Sequence, residues 1–338
     1  MLPALNIMAD HADDNDDDGD IFIYRGGQAP HVTHARIDKS VDEIEDCAFS
    51  GWDRQLLKVD THDGIRKIGR CAFFYCKTLP RINLKSVVQI DREAFNQCEN
   101  LADVEFGDRL ETIGLGAFGS TSLTHLKLPS IITIGLYAFN GCKRLIDIEL
   151  SEQLQTIRSY AFKGCDRLER IAIPLKRDLF EIHPSLRRYT QFEYCMKLTT
   201  VDIVGGIHKT VASLHMESWR AEMIAEINRI NEVLPNTPAY GKGGAPADKK
   251  THEIKRWMDS VIDKMDYHRS EHARHVREGT TLLELALWKA KLDEKEESSE
   301  EGKTKKVQVD SKSARKERRI TCGADIVIKN VLPFLQFE

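Results

Sequence analysis

The chain has 338 residues, of which 41% are hydrophobic and 30% charged, and its formal net charge is −4 at pH 7. This length is enough for two ordinary domains, each with a hydrophobic core of its own. No apolar run approaches the roughly 18 residues that indicate a membrane span, and a slightly acidic chain has no overall attraction for nucleic acid.

Residues 1–20 predict a disordered acidic tail. Seven aspartates fall between Asp10 and Asp20. The short apolar stretch at the start lacks the basic flank of a secretory signal. We therefore expect an intracellular protein, cytoplasmic or nuclear.

Residues 21–206 contain an internal repeat of about seven units. The phrase Ile-x-x-x-Ala-Phe occurs six times, and its phenylalanines are spaced by 21 to 24 residues. These are Phe49, Phe73, Phe95, Phe118, Phe139 and Phe162. We interpret them as the rungs of an aromatic spine, and the small alanines as the residues that let the convex segment approach the strands.

A second phrase, Leu-x-x-Ile-x-Leu or a close variant, also occurs six times between Leu79 and Ile203. Its last apolar positions alternate as in a short strand, which predicts one strand per repeat. A unit of this size cannot bury its apolar face alone, so stacked units are expected to share one core. The predicted fold class is α+β: a solenoid with a parallel concave sheet, followed by a helical region.

This pattern resembles the BspA-type leucine-rich repeat, in which I-G-x-x-A-F-x-x-C alternates with L-x-x-I-x-I-P, over roughly residues 32–204. The resemblance implies a right-handed solenoid whose usual inferred role is surface recognition or protein interaction. Two departures are local. Thr121 stands where other repeats have cysteine, and an insertion between Pro174 and Phe192 predicts a bulge in the seventh unit.

Five cysteines recur at one position of the repeat: Cys76, Cys98, Cys142, Cys165 and Cys195. Stacked repeats would place them close enough that distance alone does not exclude a disulfide. Without a secretion signal, small buried thiols that fill the core are the favoured interpretation. Cys47 and Cys71 occupy a different position, directly before the alanine, where we expect more exposure.

The residues that flank each central strand position should face outwards from the concave sheet. The partner-binding candidates are Arg81, Asp103, Glu105, His125, Lys127, Asp147, Glu149 and Arg170. In the first unit the same reading selects Arg36 and Asp38. Two interpretations remain open: a charge ladder that fixes strand register, or a mosaic face that binds a protein. A phosphate-binding face would be uniformly basic, and this one is not.

Residues 207–297 predict a helical region. Apolar spacing indicates a first helix from Trp219 to Leu234, a second from about Ala247 to Glu278, and a third that begins at a capping box at Thr281. Trp219, Trp257 and Trp288 are expected in the packing core of these helices. The order of segments is similar to the tail that accompanies such repeats in large protein families of microalgae, which implies a shared architecture and no known activity.

Residues 298–319 predict a charged linker, and residues 320–338 an apolar segment that docks on the helices. The basic stretch 303–319 indicates a nuclear-import signal, a weak nucleic-acid contact or a solvated linker.

His268, His272 and His275 have a metal-compatible spacing. His268 and His272 continue the apolar stripe of Met265, and the sequence places no acidic or cysteine partner beside them, so we expect no metal and no cofactor. Catalytic motifs are absent from the sequence. The leading hypothesis is a non-enzymatic scaffold for an unknown protein partner. The alternative is a nuclear or nucleic-acid-associated protein that acts through residues 303–319.

Overall fold

The computed structural model describes residues 21–51, 55–204, 217–239 and 249–300. The chain divides into two compact units, Met1–Ser260 and Val261–Glu338. The first unit contains a solenoid of six regular coils and a seventh irregular one, as the repeat predicted.

One side of the solenoid carries strands of three or four residues that pair in parallel. They are β1 (Phe22–Tyr24), β2 (His34–Ile37), β4 (Lys58–Asp60), β6 (Arg81–Leu84), β8 (Asp103–Phe106), β10 (His125–Lys127), β12 (Asp147–Glu149), β14 (Arg170–Ile173) and β15 (Thr200–Ile203). They form three sheets in the order β1-β2-β4, β6-β8 and β10-β12-β14-β15. Most of their apolar residues point into the core and most of their polar residues outwards, which confirms the predicted parallel strands on this side of the solenoid.

A second column of two-residue strands runs along the stack. They are β3 (Glu43–Ile44), β5 (Lys67–Ile68), β7 (Gln89–Ile90), β9 (Thr112–Ile113), β11 (Thr133–Ile134) and β13 (Thr156–Ile157). The prediction of one strand per repeat was therefore wrong, because regular coils contain two. A two-residue strand is too short to show the alternation from which strands are recognised in a sequence.

The predicted aromatic spine is confirmed. All six phenylalanines of the repeat phrase are fully buried, as are the alanines that precede them. Tyr24 extends the spine at one end and Phe192 at the other, and successive ring centroids lie 5.0 to 5.6 Å apart. The stack of rings therefore runs through the whole solenoid.

The seventh coil contains the predicted insertion. Phe180 takes the place of a short strand and bridges Ile157 in parallel. Phe192 then follows Phe180 by 12 residues, whereas Phe162 follows Ile157 by 5. Gln191 occupies the position of the repeat alanine, and its Nε2 donates to the carbonyls of Ile157 (3.1 Å) and Glu181 (2.7 Å). This amide supplies hydrogen bonds where the longer chain departs from the regular coil.

Two helices follow the last strand: α1 (Glu217–Val233), which a 3-10 turn at Leu234–Asn236 ends, and α2 (Lys249–Glu300). The first confirms the predicted helix before Pro235. Ile230 and Leu234 are buried on its inner face. The side chains of Trp219 and Met223 lie outside the described part of the chain.

These helices complete the hydrogen bonds of the seventh coil. In the regular coils the spine phenylalanine donates its backbone N–H to a carbonyl of the next coil, as Phe139 does to Ala161 (2.7 Å). The N–H of Phe192 instead donates to Oγ1 of Thr251 (3.1 Å), and the N–H of Tyr194 donates to the carbonyl of Ala239 (3.0 Å).

The exposed edge of β15 is satisfied in the same way. The N–H of Val201 donates to Oδ1 of Asn231 (2.8 Å), and the buried Lys250 Nζ donates to the carbonyls of Met196 (3.2 Å) and Leu198. The indole N–H of Trp257 joins the two helices through the carbonyl of Glu226 (3.0 Å). We call Asn231, Ala239, Lys250 and Thr251 the end cap, since they supply the partners that an eighth coil would provide.

Helix α2 is continuous, so the predicted break between a second and a third helix was wrong. Thr280 and Thr281 donate their hydroxyls to the carbonyl of Arg277 (2.8 and 2.9 Å). These bonds satisfy both hydroxyls inside the helix, and neither residue caps a new one. Trp257 is buried as predicted, but Trp288 is 63% exposed, which corrects its assignment to the core.

We expect Gly279→Ala to raise the stability of α2 by about 1 kcal/mol, because glycine is a poor residue for a helix interior. An added Cβ there meets nothing within 4 Å. Urea unfolding followed by circular dichroism measures the change. Gly27 is the control: it is equally open but has φ +75°, so Gly27→Ala should be destabilising. A loss of stability in Gly279→Ala would contradict a continuous helix.

Candidate interaction surface

The outward side chains of the concave sheet form two rows along the solenoid. Strand register aligns Arg81 with Asp103 and Asn83 with Glu105. Further along, His125 aligns with Asp147 and Lys127 with Glu149. The eight predicted candidates therefore lie on one face, at the strand positions that the sequence indicated.

The register of the first unit differs from the prediction. His34 aligns with Lys58 and Arg36 with Asp60, so the outward pair is His34 and Arg36, and not Arg36 and Asp38. Nε2 of His34 lies 2.9 Å from Oδ2 of Asp60. Burial raises the pKa of Asp60, but hydrogen bonds from His34 and Lys58 outweigh it, so that the pKa falls below its usual value.

Arg170 holds the C-terminal part of this face together. Its guanidinium donates to Oδ1 of Asp147 (2.7 Å) and to Oδ2 of Asp202 (2.6 Å), which lie on the two neighbouring strands. The hydrogen bond to Asp147, together with that to Asp202, raises the pKa of Arg170. Since its donors are directed at partners within the chain, Arg170 serves the register of β12, β14 and β15.

Three other candidates are also paired within the chain. Nζ of Lys127 lies 3.3 Å from Oε1 of Glu149, and Nζ of Lys85 lies 2.8 Å from Oε2 of Glu105. Exposed pairs of this kind contribute roughly 0 to 1 kcal/mol. The charge-ladder interpretation thus accounts for Glu105, Lys127 and Glu149 as well as for Arg170 and Asp147.

Arg81, Asp103 and His125 differ from these five residues. They are exposed at the same position of three successive coils. Within the described residues no ion pair or side-chain hydrogen bond involves them. We call these three residues the open row. It offers the guanidinium of Arg81 and the carboxylate of Asp103, which are register partners, and the imidazole of His125 on the first strand of the next sheet. All three groups are available to a second molecule.

The repeat cysteines are buried, as predicted, and each thiol has a backbone partner. Sγ of Cys76, Cys98, Cys142, Cys165 and Cys195 donates to the carbonyl of the spine phenylalanine one coil earlier, at 3.0 to 3.2 Å. Thr121 replaces cysteine in one coil, and its hydroxyl donates to the carbonyl of Phe118 in the same coil (2.9 Å). These thiols therefore have a structural role. Cys47 and Cys71 are partly exposed.

We expect alkylation of Cys71 by iodoacetamide to accelerate with pH up to about 11. Burial, followed by the charge of Glu93, raises the pKa of this thiol to about 11, and the thiolate is the reactive form. The alkylation rate of an unperturbed cysteine would level off near pH ~8.5. Mass spectrometry of the labelled peptide measures the rate. Glu93→Gln should shift the profile to lower pH, and a rate that levels off at pH ~8.5 would contradict the assignment.

Several residues that complete the spine and the end cap were not predicted from the sequence. Tyr24 could have been found, because it precedes Phe49 by 25 residues, close to the repeat spacing. Nothing periodic marks Asn231, Lys250 or Thr251, whose partners are backbone atoms distant in sequence.

The described ranges contain no group of three or more His, Cys, Asp or Glu side chains placed to hold a metal ion. In the same ranges, neither α1 nor α2 contains a stretch that is both long and apolar enough to cross a membrane. The basic stretch 303–319 and the apolar segment 320–338 lie outside the described residues.

Comparison with known proteins identifies the repeat. A family model described as BspA type leucine rich repeat region matches residues 28–133 and 117–213, in six copies, which is more than half of the chain. A search of curated proteins finds no match.

Several similar solved structures come from bacteria. A leucine-rich repeat protein of T. pallidum is 25% identical, with 60% of this chain and 92% of that chain covered and a TM-score of 0.43. A leucine-rich cell surface protein of Faecalibacterium prausnitzii is 22% identical, with 52% and 61% covered and a TM-score of 0.35. A leucine-rich repeat protein of Bacteroides ovatus is 21% identical, with 50% of each chain covered and a TM-score of 0.36.

Proposed function

Because the chain belongs to the BspA-type leucine-rich repeat family, we propose that it is a non-enzymatic scaffold that binds a protein partner on its concave face. Folds of this kind commonly serve as protein-interaction scaffolds. The observation that carries the proposal is the open row, where Arg81, Asp103 and His125 are exposed and unpaired among the described residues.

The surroundings of the open row favour binding. The aromatic spine and the parallel ladders hold the three residues on rigid strands. Ordering this part of the surface would therefore cost little binding free energy. Paired charges flank the row, at Glu105 with Lys85 and at Arg170 with its two aspartates. Like charges on a wrong partner would be repelled, which gives specificity.

The row also defines the chemistry of the partner. A carboxylate opposite Arg81 can form two parallel hydrogen bonds with the guanidinium. A lysine or arginine opposite Asp103 would complete the complementary pattern. We therefore propose a partner surface with alternating charges rather than a uniformly acidic or basic one.

The test is quantitative affinity capture from native lysate with the full chain as bait. We expect Arg81→Glu combined with Asp103→Lys to reduce capture of a specific partner by at least ~10-fold, since removal of an arginine that acts as a binding hot spot costs about 2 kcal/mol or more. Lys143→Glu, which also reverses an exposed basic residue but lies outside the concave sheet, is the matched control. Equal capture by the unchanged chain, the double variant and the Lys143→Glu control would contradict the proposed binding face.

A further inference from the structure

The second compact unit contains a helical segment that is apolar on several sides. In residues 282–288 of α2, Glu284 is the sole polar residue. Leu282, Leu285, Leu287 and Trp288 are 67%, 55%, 56% and 63% exposed. A helix that is apolar all round is typical of a buried one. This segment therefore needs a covering partner that the described residues do not supply.

One part of the segment forms a continuous ridge. Leu282, Leu285 and Trp288 follow each other at intervals of three residues, so their side chains are neighbours along the helix. Leu287 is two residues from Leu285 and points to nearly the opposite side, because successive residues turn by about 100°. We call Leu282, Leu285 and Trp288 the apolar ridge.

We infer that residues 324–335 of the same chain fold back and cover the apolar ridge. Val327, Ile328, Val331 and Leu332 recur at i, i+1, i+4 and i+5 in this stretch, ahead of Pro333, which ends the part that can be helical. This spacing places them on one side of a helix. A short amphipathic helix of this kind would bury its apolar side on the ridge.

The length of chain between the two parts favours an intramolecular contact. Residues 301–323 form a connection of 23 residues. A flexible connection of that length spans roughly 26 Å on average. Along α2, Leu285 lies 15 residues before Glu300, a distance of about 22 Å.

A linker whose average span matches the distance to its site gives an effective concentration in the millimolar range. A second copy of the chain would have to reach that concentration to compete. The charged composition of residues 303–319 also keeps the connection itself off the apolar ridge. This inference does not depend on the proposed function of the concave face.

The test places a photoreactive benzoylphenylalanine at position 285 of the full chain and identifies the crosslinked peptides by mass spectrometry. We expect crosslinks to residues 324–335 in a product with the mass of one chain. Their yield should stay the same over a tenfold dilution. A product of two-chain mass whose yield falls on dilution would assign the ridge to a second copy, and crosslinks elsewhere or none would overturn the inference.

Matched variants separate docking from misfolding. The same photoreactive residue at position 287 should give at least fivefold less of the product with residues 324–335, because that position points away. In the position-285 protein, Val331→Asp should lower the yield at least fivefold, whereas Val307→Asp, in the connection, should leave it unchanged. Equal yields in the two aspartate variants would also overturn the inference.

Discussion

Replacing Phe139 by alanine is expected to lower the free energy of unfolding of the solenoid by about 3 to 5 kcal/mol. The ring is fully buried, and it stacks between Phe118 and Phe162 at centroid distances of 5.5 and 5.4 Å. Its removal leaves a cavity in the middle of the spine, where the coils on both sides pack against the same ring. Chemical denaturation measures the loss.

Tyr137→Ala in the same coil is the control for Phe139→Ala. Tyr137 also stacks on an aromatic ring of the next coil, that of Tyr160, at 4.9 Å, but it is partly exposed. Its loss should cost about 1 kcal/mol, the usual contribution of an aromatic pair. Similar losses in both variants would show that the interior ring is not the one that supports the stack.

Lys250→Met is expected to cost about 2 to 4 kcal/mol, although methionine is apolar and similar in length. The variant leaves the carbonyls of Met196 and Leu198 without their buried donor, and each unsatisfied buried acceptor costs roughly 1 to 3 kcal/mol. Denaturation gives the total. Hydrogen exchange of residues 195–203 should accelerate, since the last coil opens first.

Lys249→Met is the control for this position. Lys249 is the neighbouring lysine at the start of α2 and is exposed, so its replacement should change stability by less than about 0.5 kcal/mol. If Lys250→Met unfolds like the control variant, the end cap does not depend on this amine. Asn231→Ala then tests the remaining contact at β15.

The repeat phrases predicted the parts of the fold that depend on apolar periodicity. Phe95 and Phe139 could be placed in one spine because their spacing is regular and a unit of this size has no other means of burying them. The short strands escaped detection since Thr112 and Ile113 alone show no alternation. The continuity of α2 through Gly279 was also missed. The pattern around Thr281 indicates only that its hydroxyl prefers to bond to nearby backbone, as it would at the start of a helix. In the structure the hydroxyl bonds to the carbonyl of Arg277 inside the helix instead.

The candidate surface was predicted in part. The Leu-x-x-Ile-x-Leu phrases placed Arg81 and Asp103 outside, and strand register confirms their alignment. The sequence did not separate the open row from paired residues such as Arg170, because pairing depends on side-chain geometry between coils. In the first unit Ala35 takes the place of the central apolar residue, so the phrase there was too weak to fix the register.

The end cap also determines where the assembly stops. Each regular coil offers its successor a set of backbone donors and acceptors, and β1 at the other end of the solenoid pairs on one side only among the described residues. A chain that lacked Asn231, Lys250 and Thr251 would present a last coil ready to receive the first coil of another molecule. Such a head-to-tail contact does not close, and its product is a filament. The residues of the end cap thus occupy the hydrogen-bonding positions that such a contact would need.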